Sequence, residues 1–550
     1  MPHPHLASLL TLSLLTSASS TDNITRHNIL HIISDDLRPD LGCYGLPSRH
    51  TPNLDNIAAT GTVFTRAYAQ QAVCGPSRNS FLSGRRPDRS RSWNFINHFR
   101  ESHKDWTSLP GLFAKDEHFV SLGAGKTYHP KLPPSYDGNA SWSKAALPYK
   151  NPCWNTADDP NAKFQDGGLP CFFCNIDILS RLFPKKYNTS VADEFCDVDA
   201  YEDVLSVWNG VELLKKHVPK DKFFYLAVGM HKPHLPWQYA KEDLELHPID
   251  SVAPAKHTLP PTNVPMLALQ FTDKSIHESP YDVIPVQAAV GARRAYRATI
   301  TGMDRKLKPL LDALKEVGKY NNTAIVFHSD HGWHLGELGE WRKFTNFEIA
   351  TQVPLIISVP WLKRQPLRSN ALVELVDIWP TIAELSGVSI PKEEPEYDGV
   401  SLVSLLSYEE GEESGGIDSG GWNKTYALSQ YPRLVRHPDK AWSGNSIIHR
   451  NRSLFTHMGY TVRTNEWRYT EWAKWNGTLL VPIWSPTWDS VVNELYNHQN
   501  DTIFPINFDS DSETMNVVKL HDDVARKLSS LIRREFPTTT TTTMETLIDS

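Results

Sequence analysis

The sequence predicts an α/β protein with a large, mostly parallel central sheet flanked by helices, followed by a smaller α+β unit with an antiparallel sheet. Three observations carry this. Short β-rich apolar runs end abruptly in polar residues, and helical patterns lie between those runs. An acidic Gly/Ser-rich stretch then separates them from a C-terminal part whose residues alternate apolar and polar.

In chain order, "NILHIISDD" ends in Asp35 and Asp36, and "HFVSLGAGKTYH" ends in Lys126 and His129. "KFFYLAVGMHKPH" ends in His231, Lys232 and His234, and "TAIVFHSDHGWHLGE" carries Asp330 and His331 just past its apolar run. Near-continuous apolar strands suit a parallel sheet buried on both faces. Between them "TPNLDNIAATG", "YEDVLSVWNGVELLKKH" and "RRAYRATITGMDRKLKPLLDALKEVG" read as helices. Strand–helix alternation of this kind gathers functional groups at the carboxyl ends of the strands. "SYEEGEESGGIDSGGWN" is the expected linker. Beyond it "GYTVRTNEWRYTEWAKW" alternates as antiparallel strands do, and the Thr-rich tail is low-complexity. The expected division is a leader over 1–20, a large unit over 21–406, a linker over 407–423, a smaller unit over 424–535 and a disordered tail over 536–550.

Composition narrows the partners. Of 550 residues, 40% are hydrophobic and 22% charged, the balance of a soluble globular chain long enough for a large core. The 56 basic and 63 acidic residues give −7 with no basic block, which argues against nucleic acid. A local site can still be basic enough for a polyanionic substrate. The run from Leu6 to Leu15, followed by small residues, reads as a secretory signal, and no later run has the ~18 apolar residues of a membrane span. Glycosylation sequons at Asn23, Asn139, Asn188, Asn321, Asn423, Asn451, Asn476 and Asn500 agree with that route. Cys153, Cys171, Cys174 and Cys196 cluster as one or two loop-stapling disulfides would, whereas Cys43 and Cys74 stand apart.

Asp35, Asp36 and Asp330, delivered by two strand ends, would offer three carboxylates to one point, a donor set for Ca²⁺ or Mg²⁺. In "QAVCGPSRNSFLSGRRP", Pro76 suits the first turn of a helix and Gly84 its stop. Cys74 is then expected just before the helix N-terminus, where free N–H groups favour anions, with Arg78 one turn on. Two chemistries follow: a thiolate nucleophile with a lowered pKa, or a modified cysteine.

"CGPSRNSFLSG" resembles the signature of the type I sulfatases, C-x-P-S-R followed by L-[ST]-G. "SDDLRPDLGCYG", "GKTYHP", "LAVGMHKPHLP", "SDHGWHLGELGEWRKFTNFEIATQVPLI", "SQYPR" and "GYTVRTNEWRYTEW" extend the likeness, in order, to the branch acting on 2-sulfated iduronate. The resemblance implies an alkaline-phosphatase-like fold and oxidation of Cys74 to Cα-formylglycine by the formylglycine-generating enzyme of the secretory pathway. It implies that Asp35, Asp36, Asp330 and His331, with the modified Cys74, surround Ca²⁺. It gives Arg78 and Lys126 the formylglycine hydrate, Lys343 and His231 the sulfate oxygens, His129 the proton of the hydrate, and His231 also the leaving alcohol. His234, Trp333, His334 and Glu337 receive no role. A Cys153–Cys174 bridge is implied as well, leaving Cys171 and Cys196 as candidates for a second.

The expected function is removal of the 2-O-sulfate of iduronate in heparan or dermatan sulfate by a lysosomal or secreted glycoprotein. Ser83 in place of the usual Thr, Gly75 in place of Ala, and a short segment between Pro360 and Ala371 depart from that branch. The alternatives are the same chemistry on another sulfated glycan or small sulfate ester, and a glycan-binding pseudo-sulfatase. A phosphodiesterase of the same superfamily would carry Ser or Thr at position 74.

Overall fold

The computed structural model describes residues 25–144, 201–270, 281–362, 367–406, 422–435 and 447–538. The expected leader, the four clustered cysteines, nearly all of the expected linker and the tail from 539 lie outside the described residues. Cys43 and Cys74 are both free thiols.

Five strands open the chain: β1 (Asn28–Asp35), β2 (Thr62–Tyr68), β3 (Phe119–Gly125), β4 (Phe223–Pro233) and β5 (Thr323–Ser329). A short ribbon follows, β6 (His334–Leu335) with β7 (Trp341–Arg342), and then β8 (Gln352–Ser358) and β9 (Arg368–Glu374). Seven of them form the main sheet in the order β3-β4-β1-β5-β8-β2-β9. β3, β4, β1 and β5 run parallel, β8 runs antiparallel to β5 and β2, and β9 is parallel to β2. All the polar-ended apolar runs of the sequence are strands of the parallel half.

Among the described residues, the α-helices of seven or more residues are α1 (Pro52–Ala58), α2 (Cys74–Ser83), α3 (Leu109–Lys115), α4 (Tyr201–His217), α5 (Val286–Glu316), α6 (Ile378–Ser386) and α7 (Asp522–Glu535). The period-2 alternation of the strands divides the core between two helical layers. Leu30 and Ile32 of β1, with Leu226 and Val228 of β4, pack against α1, α4 and α5. Ile29 and Ile33 of β1, with Tyr225 and Ala227 of β4, pack against α2, α3 and α6. Helix α5 starts at Val286, before the Arg293 at which the pattern is legible, because Ala288, Ala289 and Ala292 prolong its buried face.

The C-terminal sheet is antiparallel: β10 (Ala427–Arg433), β11 (His457–Arg463), β12 (Trp467–Asn476) and β13 (Val481–Ile483) in order, with β14 (Val492–Asn497) also on β12. Helix α7 covers it through Ala525, Leu528 and Ile532, and Phe536 packs into the same cluster. The two sheets are tied where it matters for the site. Gln430 N–H donates to Gln70 O at 2.8 Å and Ser429 Oγ donates to Ala69 O at 2.6 Å, fixing the turn that leads into α2. The Arg433 guanidinium donates to Phe344 O at 2.9 Å, one residue past Lys343.

Candidate functional site

Four strand ends of the main sheet deliver their polar residues to one place. In the β1–β5 register Ser34 lies opposite Ser329, so Asp35 and Asp330 leave the sheet side by side. Asp35 also lies opposite Pro233, which brings the His231–His234 segment alongside. Lys126 follows β3, and its N–H donates to Gly229 O at 2.8 Å. Only glycine permits that approach, since a Cβ on residue 229 would sit 2.0 Å from the Lys126 carbonyl carbon. Asp36 turns the chain with φ +62°, a left-handed conformation that Asp tolerates and that sends its carboxylate back towards the site.

Helix α2 enters from the other layer. Gly84 closes it in the left-handed conformation at φ +71°. Cys74 is the first residue of the helix, not the residue before it, with Val73 as the cap. Its Sγ lies 3.3 Å from Asp35 Oδ1, 3.3 Å from His331 Nε2 and 2.9 Å from Lys343 Nζ. Asp35, Cys74, Asp330 and His331 each offer one donor atom, all within 4.8 Å of one another. Asp36, Cys74 and His234 form an overlapping group, as do Asp35, His231 and His234.

The charges inside this enclosure balance. Asp35, Asp36 and Asp330 face Arg78, Lys126 and Lys343, and all six are buried. The Arg78 Nε donates to Asp330 Oδ2 at 2.9 Å, and its terminal nitrogens donate to Ser34 O, Thr127 O and Lys126 O. Lys126 Nζ pairs with Asp35 Oδ2, and Lys343 Nζ donates to Asp36 Oδ1 at 2.5 Å. Burial pushes Asp36 up to about 7 against the pull of Lys343, helped by its carboxylate neighbours Asp35 and Asp330. Burial and the Asp35 charge push Asp330 up to about 6 despite Arg78. Burial would raise Asp35 too, but Lys126, His234, Arg78 and Lys343 together hold it well below the usual carboxylate range.

Three observations make this a fit for a hard divalent cation. Burial, and then neighbouring carboxylates, push Asp36 and Asp330 up towards neutrality. Asp36 Oδ2 is buried without a hydrogen-bond partner. The His331 Nδ1 lies 3.1 Å from Gly332 O, which places the ring proton there and leaves the Nε2 lone pair facing Asp36, Asp330 and Cys74. Burial, and then Lys343, keep that imidazole neutral. Oxygen donors in this number suit Ca²⁺.

The lowered-pKa thiolate is not what the surroundings produce. Burial pushes the Cys74 thiol up, and the Asp35 carboxylate adds to it, outweighing Lys343 and Lys126. The sequence leaves two chemistries open at Cys74; a thiol pushed up by its surroundings favours the second, a modified cysteine.

The remaining expected residues stand around the rim of this group. The His129 ring stacks on Phe95 with centroids 4.4 Å apart, and its Nδ1 lies 3.1 Å from Pro130 O. The His231 Nε2 lies 3.4 Å from Glu202 Oε2. Burial and neighbouring cations hold both imidazoles well below their usual pKa. Sequence reading misses Glu202 and Asp203. The Asp203 carboxylate accepts the N–H of His231 at 2.5 Å and of Lys232 at 3.2 Å, shaping the end of β4. The only sequence signal is an acidic pair in the first turn of α4, where acids are common for the helix's own sake. His234, given no role from sequence, joins two of the donor groups. Glu337 faces away, towards Arg38 and Arg293.

Residues 27–388 match the Sulfatase family. The chain belongs to the sulfatase family. Human iduronate 2-sulfatase is 32% identical over 543 residues, covering 90% of this chain and 93% of that protein. The choline-sulfatase of Rhizobium meliloti is 26% identical over 69% of this chain and 71% of its own. Among solved structures, the phosphonate monoester hydrolase of Silicibacter pomeroyi superposes with a TM-score of 0.62 at 21% identity, covering 93% of this chain and 95% of that one. A 2-O GAG sulfatase gives 0.59 at 18% identity, covering 93% and 92%. The sulfatase thus has the alkaline-phosphatase-like fold, and its chemistry is sulfate ester hydrolysis.

Proposed function

We propose that this sulfatase removes the 2-O-sulfate of iduronate residues in heparan or dermatan sulfate, with Ca²⁺ in the Asp35–Asp36–Asp330–His331 group and Cys74 oxidised to Cα-formylglycine. The observation that carries the site reading is the position of Cys74 Sγ, within 3.3 Å of a carboxylate and an imidazole of the donor group and 2.9 Å from Lys343. The substrate reading is supported by 32% identity to human iduronate 2-sulfatase along nearly the whole chain.

Ca²⁺ held there would supply fixed positive charge to the sulfate oxygens and to the attacking oxygen. The aldehyde hydrate of residue 74 would supply the oxygen nucleophile that a protonated thiol does not. The chain's own residues do the rest. Lys343 and Lys126 flank residue 74 as point charges for the sulfate, and charge on a transferring group is best met by cations already in place. Arg78 holds Asp330 and the β3 end in register, so that donors on different strands keep their spacing. His231 would take up a proton beside the bound sulfate charge and give it to the departing sugar oxygen, and His129 would take the proton of residue 74 that resets the site. Asp203 fixes the backbone carrying His231.

The secretory reading is supported by sequons whose asparagines are exposed at Asn139, Asn321, Asn423, Asn451 and Asn500. No helix among the described residues is long and apolar enough to cross a membrane. Mass spectrometry of the Cys74 peptide beside a panel of 2-sulfated iduronate, 2-sulfated glucuronate, other sulfated sugars and choline sulfate tests both halves. An unmodified thiol in active protein overturns the nucleophile, and turnover of other esters with none of 2-sulfated iduronate overturns the substrate.

A further inference from the structure

A second cluster of buried charge lies on the α5 side of the main sheet, and its charges do not balance. Arg38 and Arg49 come from the chain after β1, and Arg293 and Arg297 stand one turn apart on α5. Two buried carboxylates serve them. Asp40 takes the Arg49 Nε and, at 3.4 Å, Arg38 Nη2. Glu337 takes Arg38 Nη1 at 2.7 Å and Arg293 Nη1 at 3.2 Å. Asp509 stands at the rim, 4.0 Å from Arg293 Nη2.

Arg297 has only the attraction of Asp40, a carboxylate already paired with Arg49 and Arg38. The residue is 7% exposed, its Nε is enclosed without a partner, and no hydrogen bond or ion pair engages its guanidinium among the described residues. The other charged groups around it oppose that attraction. Arg49, Arg38 and Arg293 repel it, and the nearby His247 is held neutral, pushed down to about 4 by burial and then by His50 and Arg297. Burial pulls Arg297 down to about 10, which still leaves it charged at any physiological pH. Two buried carboxylates among four arginines leave Arg297 short of counter-charge, and Arg cannot shed its proton to escape that cost. The missing component is an anion, and a guanidinium fork beside further arginines matches a tetrahedral oxyanion.

We propose that Arg297, supported by Arg49 and Arg293, binds a small oxyanion of the sulfate or phosphate type at a site separate from the Cys74 centre. This site stands independently of the substrate assigned to that centre.

Selenate, sulfate-shaped and an anomalous scatterer, is the probe. Crystals of the full chain soaked in selenate should show a selenium peak within hydrogen-bond reach of Arg297, absent in Arg297→Met while any peak beside residue 74 persists. In sulfate-free buffer Arg297→Met should melt no lower than wild type, since it removes an unpaired buried charge. Sulfate at matched ionic strength should then raise the wild-type melting temperature more than that of the variant. Should Arg297→Met not fold, Arg297→Lys, which keeps the charge but loses the fork, should bind selenate about tenfold more weakly. The proposal is overturned by no peak at Arg297 when the Cys74 centre is filled, or by a peak that survives Arg297→Met. Equal sulfate gains in wild type and variant, or selenate affinity unchanged in Arg297→Lys, overturn it too.

Discussion

Lys343 bridges two functions with one ammonium: its Nζ lies 2.9 Å from Cys74 Sγ and 2.5 Å from Asp36 Oδ1. A cation so placed touches both the proposed nucleophile position and a carboxylate of the donor group. Lys343→Met should therefore lower kcat/KM for a sulfate ester by about 10²–10³, the scale for removing one positioned electrostatic donor. Wild-type rates in a purified, folded variant would remove Lys343 from sulfate recognition.

The crowded carboxylates give the metal-free protein a pH dependence of definite sign. Asp36 ionises near about 3.9 in an unfolded chain and is pushed up to about 7 when folded. Its raised pKa adds stability that is complete below about pH 4 and lost as pH rises through about 7. Asp330 acts in the same sense up to about 6, whereas the depressed Asp35 contributes stability that is lost on acidification. Chelator-treated protein should melt at a lower temperature at pH 7.5 than at pH 5. Ca²⁺ at about 100 times its Kd should return about 2.7 kcal/mol at the higher pH. Identical melting with and without chelator would argue against the metal.

Arg78 should matter to folding as much as to chemistry. Arg78→Ala leaves Asp330 buried without its partner and strips donors from three carbonyls, a loss of about 3–5 kcal/mol. Arg78→Lys cannot span the same acceptors and should rescue little of that. Urea unfolding of both variants measures it, and an unchanged midpoint would contradict the network.

Gly229→Ala tests a purely steric relationship. The added Cβ would meet the Lys126 carbonyl carbon at 2.0 Å, so β3 and β4 must separate at their functional ends. The cost should reach at least about 1–3 kcal/mol, as overpacking does. Activity should fall further than the surrounding stability, because Lys126 moves with the strand. Retained activity at wild-type stability would show that the strand ends adapt freely.

Much of the site is legible in the sequence because it rides on regular elements. Apolar runs that stop at "SDD" and "SDH" mark strands whose ends must be polar, and parallel strands end on one side of a sheet. The family signature around Cys74 adds the helix. What carries no such mark is the support. β2, β8 and β9 place their polar groups elsewhere, and Asp203 looks like an ordinary helix-start acid until β4 is laid beside α4. The acidity of Cys74 runs the other way from what a helix mouth suggests, since desolvation and Asp35 depend on neighbours 39 or more residues distant.

The sequence by itself therefore determined the four polar-ended strands, the helices between them and the alternating C-terminal strands, and pointed to carboxylates, a cysteine and cations at the strand ends; these follow from local periodicity and from a motif contained in eleven consecutive residues. Only the tertiary structure decided which cation faces which anion, that the Cys74 thiol is pushed up, and that Arg297 makes no hydrogen bond among the described residues. Burial and Coulomb interactions depend on distances through space, and chain order does not specify those distances.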